Sequence, residues 1–183
     1  MRIASLSIVT LLALLALGPR EARAGVFVGV DANASKLVGD GSDAFDLGYG
    51  GSVRGGYELP IPILTIQLGG LFRYNRWTLA DPALNGTLTG TDFLVGGRAG
   101  VGAFLKPWAQ FFIGYGHLSS EVMGQSASDS GTALLIGGGL DIALPVVSVG
   151  VHVDWNKDVI DTQGTQQSGG SWVAFGGNLT LSF

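Results

Sequence analysis

The chain has no cysteine and little charge of either sign: 13% of its 183 residues are Asp, Glu, Lys or Arg, about half the share of an ordinary soluble domain. Without Cys there is no disulfide framework, no thiolate chemistry, no Cys-ligated zinc and no lipid attachment through an N-terminal Cys. With 10 Lys+Arg against 14 Asp+Glu, the basic surplus that nucleic acid attracts is missing, and that partner class is excluded. So few charges cannot clothe a water-facing surface. Beyond residue 24 no apolar run is long enough to cross a bilayer as a helix, which takes about 18 residues or more, and no segment holds a helical period. Glycine is what abounds, at 31 residues, more than twice the usual share. Val, Leu, Ile and Phe are plentiful too, which argues against disorder.

Residues 1–24 read as an export signal of the Sec type. Arg2 supplies the positive start, Ile8 to Leu17 the apolar run, and Ala22-Arg23-Ala24 the small-x-small pattern for cleavage after Ala24. The run is too short for a membrane anchor and is followed by Arg20, Glu21 and Arg23. The expected mature domain, 25–183, holds 7 basic and 13 acidic residues.

Along that domain a period of two recurs, the signature of strands. Val26, Val28 and Val30 oppose Gly29, Asp31 and Asn33. Leu47, Tyr49, Gly51, Val53, Gly55 and Tyr57 oppose Gly48, Gly50, Ser52, Arg54, Gly56 and Glu58. Leu64, Ile66, Leu68, Phe72 and Tyr74 oppose Thr65, Gln67, Gly69, Arg73 and Asn75. Phe93, Val95, Ala99, Val101, Ala103 and Leu105 oppose Gly96, Arg98, Gly100, Gly102 and Phe104, and Phe111, Ile113 and Tyr115 oppose Gln110, Phe112, Gly114 and Gly116. Leu134, Ile136, Leu140, Ile142 and Leu144 oppose Gly137, Gly139 and Asp141. Val147, Val149, Val151, Val153 and Trp155 oppose Ser148, Gly150, His152, Asp154 and Asn156. The last set places Val173, Phe175, Leu179, Leu181 and Phe183 against Ala174, Gly176, Asn178, Thr180 and Ser182. These are eight strands, most of them near the 9–11 residues that a tilted strand needs to cross a bilayer.

The connections alternate in length. Three are short and carry proline: Leu59-Pro60-Ile61-Pro62, Lys106-Pro107-Trp108 and Leu144-Pro145-Val146. Four are long and polar, at about 34–46, 76–90, 119–132 and 157–170, with Thr162–Gly170 reading as a mobile outer tip. Tight turns at one end and longer loops at the other describe an up-and-down transmembrane barrel. Proline suits the turns because it ends a strand without a ladder hydrogen bond.

A soluble barrel would line its outer face with charge. Here the second face of each strand is mostly Gly, Ser, Thr, Asn and Gln, which suits the crowded interior of a narrow barrel. The apolar face has no charge, as a bilayer demands, where an outward Lys or Arg at the midplane costs about 2–4 kcal/mol. Threading the strands up and down puts Tyr49, Tyr74, Trp77, Phe93, Tyr115 and Trp155 near the outer ends, and Tyr57, Trp108, Phe111 and Phe183 near the turns. That predicts two aromatic girdles, with Tyr49, Tyr57, Tyr74, Trp108, Tyr115 and Trp155 as their amphipathic members.

The leader, the eight alternating strands, the proline turns and the ending Asn178-Leu179-Thr180-Leu181-Ser182-Phe183 resemble the small outer-membrane barrel proteins of Gram-negative bacteria, the OmpA/OmpX-like group. The resemblance implies a closed antiparallel eight-stranded barrel with short periplasmic turns and four longer outer loops. It implies an outer-membrane location, contact with lipid and lipopolysaccharide, and insertion by the barrel-assembly machinery. Leu179, Leu181 and Phe183 match the terminal signal that this machinery reads.

Three arginines, three aspartates, Glu58 and His152 face inward on this register, and enclosed charges must pair or meet water. The expected network is Arg54, Arg98 and Asp141 at mid-strand, with Arg73, His152 and Asp154 nearer the outer mouth. It reads as a plug, the alternative being a polar constriction in a narrow channel for ions or small solutes. His117-Leu118-Ser119 with Glu121 has the residue types of a lipid-A hydrolase, but not that family's placement near the last strands, so no catalytic residue is expected. Asp40, Asp43 and Asp46 lack the spacing of a calcium loop. Gly96-Gly97-Arg98-Ala99-Gly100 is no phosphate cradle, since no helix follows. Neither metal nor cofactor is expected. The reading is a structural or surface-interaction protein acting through outer loops whose ligand is unknown.

Overall fold

Side chains that alternate across every strand can satisfy two solvents at once only if the sheet closes on itself. The computed structural model describes residues 25–61, 63–81, 83, 85–162, 166–168 and 170–183. The leader over 1–24, Pro62 of the first turn and residues 163–165 and 169 of the tip lie outside them. The strands are β1 Gly25–Val38, β2 Gly48–Ile61, β3 Leu64–Thr78, β4 Gly86–Val101, β5 Leu105–Val122, β6 Gln125–Ala143, β7 Val147–Thr162, β8 Gln166–Ser168 and β9 Ser171–Ser182. Neighbours in sequence pair antiparallel from β1 through β7, β7 pairs with β9, and β9 returns to β1. The three-residue β8 pairs with the last residues of β7, so the closed wall is the eight strands β1–β7 and β9. Closure leaves no strand edge in the wall, which is what hydrocarbon requires of a backbone.

The outward face is the apolar one. Val149, Val151 and Val153 are 51%, 64% and 57% exposed, while His152 and Asp154 between them are buried. Phe72 and Phe93, directly paired on β3 and β4, pack as an exposed ring pair with centroids 4.9 Å apart. An apolar belt of this extent has no place in water.

The long connections are shorter, and the strands longer, than the sequence reading held. The polar stretch 119–132 is mostly strand: β5 and β6 continue beyond the belt and meet in a two-residue turn. That turn is Met123-Gly124, at φ 51° and 77°, the left-handed pair that a tight hairpin requires. A polar strand outside the bilayer loses its apolar alternation, so periodicity alone ended β5 and β6 too early. The loop between β1 and β2 makes one short 3-10 turn at Ser42–Ala44 and lies against the next loop. There Asp46 N–H donates to Thr78 O at 2.9 Å, and Ala80 N–H to Ala44 O at 2.9 Å.

Candidate functional site

The interior is where the chain spends its charge. Arg54, Arg73, Arg98, Asp141, His152 and Asp154 are all buried on the inward face of their strands. They do not form one network but three tiers. Nearest the short turns, Arg98 Nη2 donates to Asp141 Oδ2 at 2.6 Å. The other oxygen of Asp141 accepts from Trp108 Nε1 at 2.9 Å and Asn178 Nδ2 at 3.1 Å. The guanidinium of Arg98 lies 3.4 Å over the Trp108 ring, so one carboxylate and one indole together neutralise and cover it. Beside them Glu58 accepts from Gln67 at 2.7 Å and Ser182 at 2.9 Å. This tier borders a cavity of about 20 Å³, room for about one water molecule.

At the middle, Arg54 donates to Thr180 Oγ1 at 2.6 Å, Asp154 accepts from Gln110 at 2.8 Å, and His152 Nε2 stands 3.5 Å from Asp154. Towards the loop end, Arg73 Nε donates to Asp92 Oδ2 at 2.8 Å and its Nη1 to Asn156 Oδ1. Above that tier the filling turns apolar. Trp77 and Trp172, both fully buried, meet edge to face with centroids 5.2 Å apart. Leu37 and Ala174 complete the cluster, with Phe45 and Leu88 packed against it.

The lumen is therefore not filled by polar side chains alone, contrary to the expectation. Leu71, Leu94, Phe112, Ala133 and Leu135 form an apolar patch contributed by β3 to β6, set among the buried polar residues of the same strands, such as Arg73, Arg98, Gln110 and Asp141. Two of the small residues opposite the bulky ones explain the fit. A Cβ at Gly137 would strike the Asp154 carboxylate, and one at Gly139 the Trp108 ring.

Trp108 requires a correction. It was expected in the girdle near the turns but is buried inside, bound to Asp141. The parity rule itself shows why: Trp108 lies two residues from Gln110 and four from Phe112, both inward. Trp77 turns inward for the same reason, two residues beyond Asn75. Tyr49, Tyr57, Tyr74, Tyr115 and Trp155 stand exposed on the outer surface. Asp92 and Asp158 are buried inward charges that the sequence reading missed; each continues the even parity of its strand past the point where that strand was ended. Leu179 and Phe183 are exposed on the outside of β9 and at its end, with Leu181 partly so. His117 faces outward, its Nδ1 2.9 Å from Ser130 Oγ across the hairpin. Asp40, Asp43 and Asp46 are exposed in the first loop.

No protein-family model matches the chain, and no curated protein matches it either. Solved structures do share its architecture. The crystal structure of Neisserial surface protein A aligns with a TM-score of 0.58 at 15% identity, covering 86% of this chain and 97% of that one. The attachment invasion locus protein Ail of Yersinia pestis aligns with a TM-score of 0.58 at 16% identity, covering 88% and 99%. Ail in complex with the heparin analogue sucrose octasulfate aligns with a TM-score of 0.57 at 16% identity, covering 87% and 99%. The fold here is thus that of the small eight-stranded outer-membrane barrels.

Proposed function

We propose that this chain, folded as those small barrels are, is an exported outer-membrane protein with a closed lumen. It acts as a surface or structural element through its loop end, without catalysis. The observation that carries the reading is the double closure of the interior. The tier of Arg98, Asp141, Trp108 and Asn178 fills the turn end, and the stopper of Leu37, Trp77, Trp172 and Ala174 fills the loop end. Eight strands leave room for little more than side chains. A hydrated ion would have to displace both layers to pass.

The leader at 1–24 would direct export, and Leu179, Leu181 and Phe183 would serve recognition by the assembly machinery. Lipid and lipopolysaccharide would surround the belt. The loop end offers an acidic, polar tip to whatever it meets outside. The pairing of His117 with Ser119 that a lipid-A hydrolase would need draws no support from the hairpin, where His117 Nδ1 stands 2.9 Å from Ser130 Oγ instead.

Conductance in planar bilayers tests the proposal. The purified, folded chain should give no reproducible single-channel steps, and replacing Trp77 and Trp172 together by Ala should still give none, because the turn-end tier closes the lumen by itself. Regular steps from the unmodified chain that change with Arg98→Ala would replace the closed plug by a narrow channel.

A further inference from the structure

Seven Lys and Arg residues follow residue 24, and their placement is uneven. Arg54, Arg73 and Arg98 are buried inside, and Lys106 borders the cavity at the turn end. The other three, Lys36, Arg76 and Lys157, face outward at the loop end of β1, β3 and β7. On the same faces, one step nearer the belt, stand Ala34, Tyr74 and Trp155. Farther out the exposed charges are acidic: Asp40, Asp43, Asp46, Asp81, Glu121 and Asp129.

The register puts the three cations on one level. Arg76 pairs with Tyr49 and Tyr49 with Ala34, so Arg76 lies two residues below Lys36 along the hydrogen-bonded row. Lys157 pairs with Ser171 and Ser171 with Val38, two residues above Lys36. Rows in a barrel of tilted strands are not horizontal. The row from Gly29 through Arg54, Leu71, Leu94, Gly114 and Ala133 reaches Asp158. That is already one residue beyond Lys157, which the short way round stands opposite Val38. The row thus climbs by about one residue per strand from β1 towards β7, and the two offsets cancel that climb.

The three strands are separated by β2 and by β9, which spaces neighbouring cations roughly 10 Å apart along the wall. Across the barrel, the outward residues beyond the belt on β4, β5 and β6, namely Thr89, Thr91, His117, Ser119, Ser130 and Thr132, include no Lys or Arg. The basic collar is one-sided.

We infer that Lys36, Arg76 and Lys157 form a docking face for the phosphorylated headgroup of an outer-leaflet lipid, seated with its acyl chains along β3, β2, β1, β9 and β7. The inference rests on the outer-membrane reading above. Charge complementarity selects the occupant. The cations stand where headgroups begin, directly above an apolar belt, and an acidic tip above them would repel a soluble polyanion approaching from outside. The Nζ of Lys36 donates to Phe45 O, which ties the first loop to this face, so an engaged headgroup also braces that loop.

Native mass spectrometry of the folded full chain tests it, with diphosphorylated lipid A and dephosphorylated lipid A as probes. Each cation near an anionic headgroup is worth about fivefold in binding. Lys36→Gln, Arg76→Gln and Lys157→Gln together should therefore cut retention of the phosphorylated lipid about 100-fold, and leave the weaker retention of the dephosphorylated one unchanged. Equal retention of the phosphorylated lipid by both chains overturns the inference, as does an equal loss of both lipids. Release of the phosphorylated lipid by excess inorganic phosphate overturns a membrane lipid as the occupant. A gel-mobility difference between unboiled and boiled samples reports the barrel separately. If the unmodified chain lacked that difference, the outer-membrane reading would fail rather than the collar alone.

Discussion

The two ends of the lumen are closed by different physics. At the turn end a buried ion pair, an indole stacked on the guanidinium and an amide share one carboxylate. At the loop end two tryptophans and their aliphatic neighbours do the filling. The nearest ion pair, Arg73 with Asp92, lies beneath them with its guanidinium 5.0 Å from the Trp172 ring, against 3.4 Å for Arg98 over Trp108. The first arrangement is stoichiometric: remove one member and the others are left charged or unpaired in a medium that does not solvate them. The second is volumetric, and its loss scales with the space left behind. The ends should therefore respond differently to the same kind of substitution.

The largest effect is expected at the turn end. Arg98→Met leaves Asp141 buried without its counter-charge and should destabilise the folded barrel by about 3–5 kcal/mol. The pair Arg98→Met with Asp141→Leu should recover much of that loss. Urea unfolding in lipid vesicles, followed by tryptophan fluorescence, reads both. A double variant no better than the single one would mean that Trp108 and Asn178, rather than charge balance, hold this tier.

At the loop end, Leu37→Ala should cost about 2–3 kcal/mol as a cavity. A charge-neutral partner change should not rescue it, and the loss should be the same at low and high salt because Leu37 contributes volume and no charge. A strong salt dependence of that loss would erase the contrast between the ends.

The finest test compares two interior glycines. A Cβ at Gly139 would strike both the Trp108 ring and a backbone carbonyl, so Gly139→Ala should destabilise by about 1–3 kcal/mol. At Gly90 the new methyl would meet Leu118 at 3.3 Å and Trp77 at 3.4 Å, and Gly90→Ala should stay within about 0.5 kcal/mol. Comparable unfolding midpoints for the two variants would show that the turn end is no more tightly filled than the loop end.

The misreadings share a cause. Trp108, Trp77, Asp92 and Asp158 all obey the alternation, yet they lie where the strands were judged to have ended. Trp108 follows the proline of a short connection and so reads as a turn residue, but β5 already runs through Pro107. Asp158 sits on β7 well past Trp155, in a stretch whose polar composition resembles a loop. Extending the parity by one or two steps would have placed each of them inside. The apolar patch has one signal in the sequence, Phe112, a bulky ring at the inward parity of Gln110.

Alternation and the spacing of turns settle, from sequence alone, the strands, their up-and-down order and the face that meets lipid. Each of these follows from a local rule, that neighbouring side chains point to opposite sides of a strand. Which inward residues meet is another matter. Arg73 and Asn156 are 83 positions apart, Arg54 and Thr180 are 126, and Lys36, Arg76 and Lys157 reach one level only through the incline of the rows. Closure brings such residues together, because the stagger with which the last strand meets the first belongs to the whole wall and to no single strand.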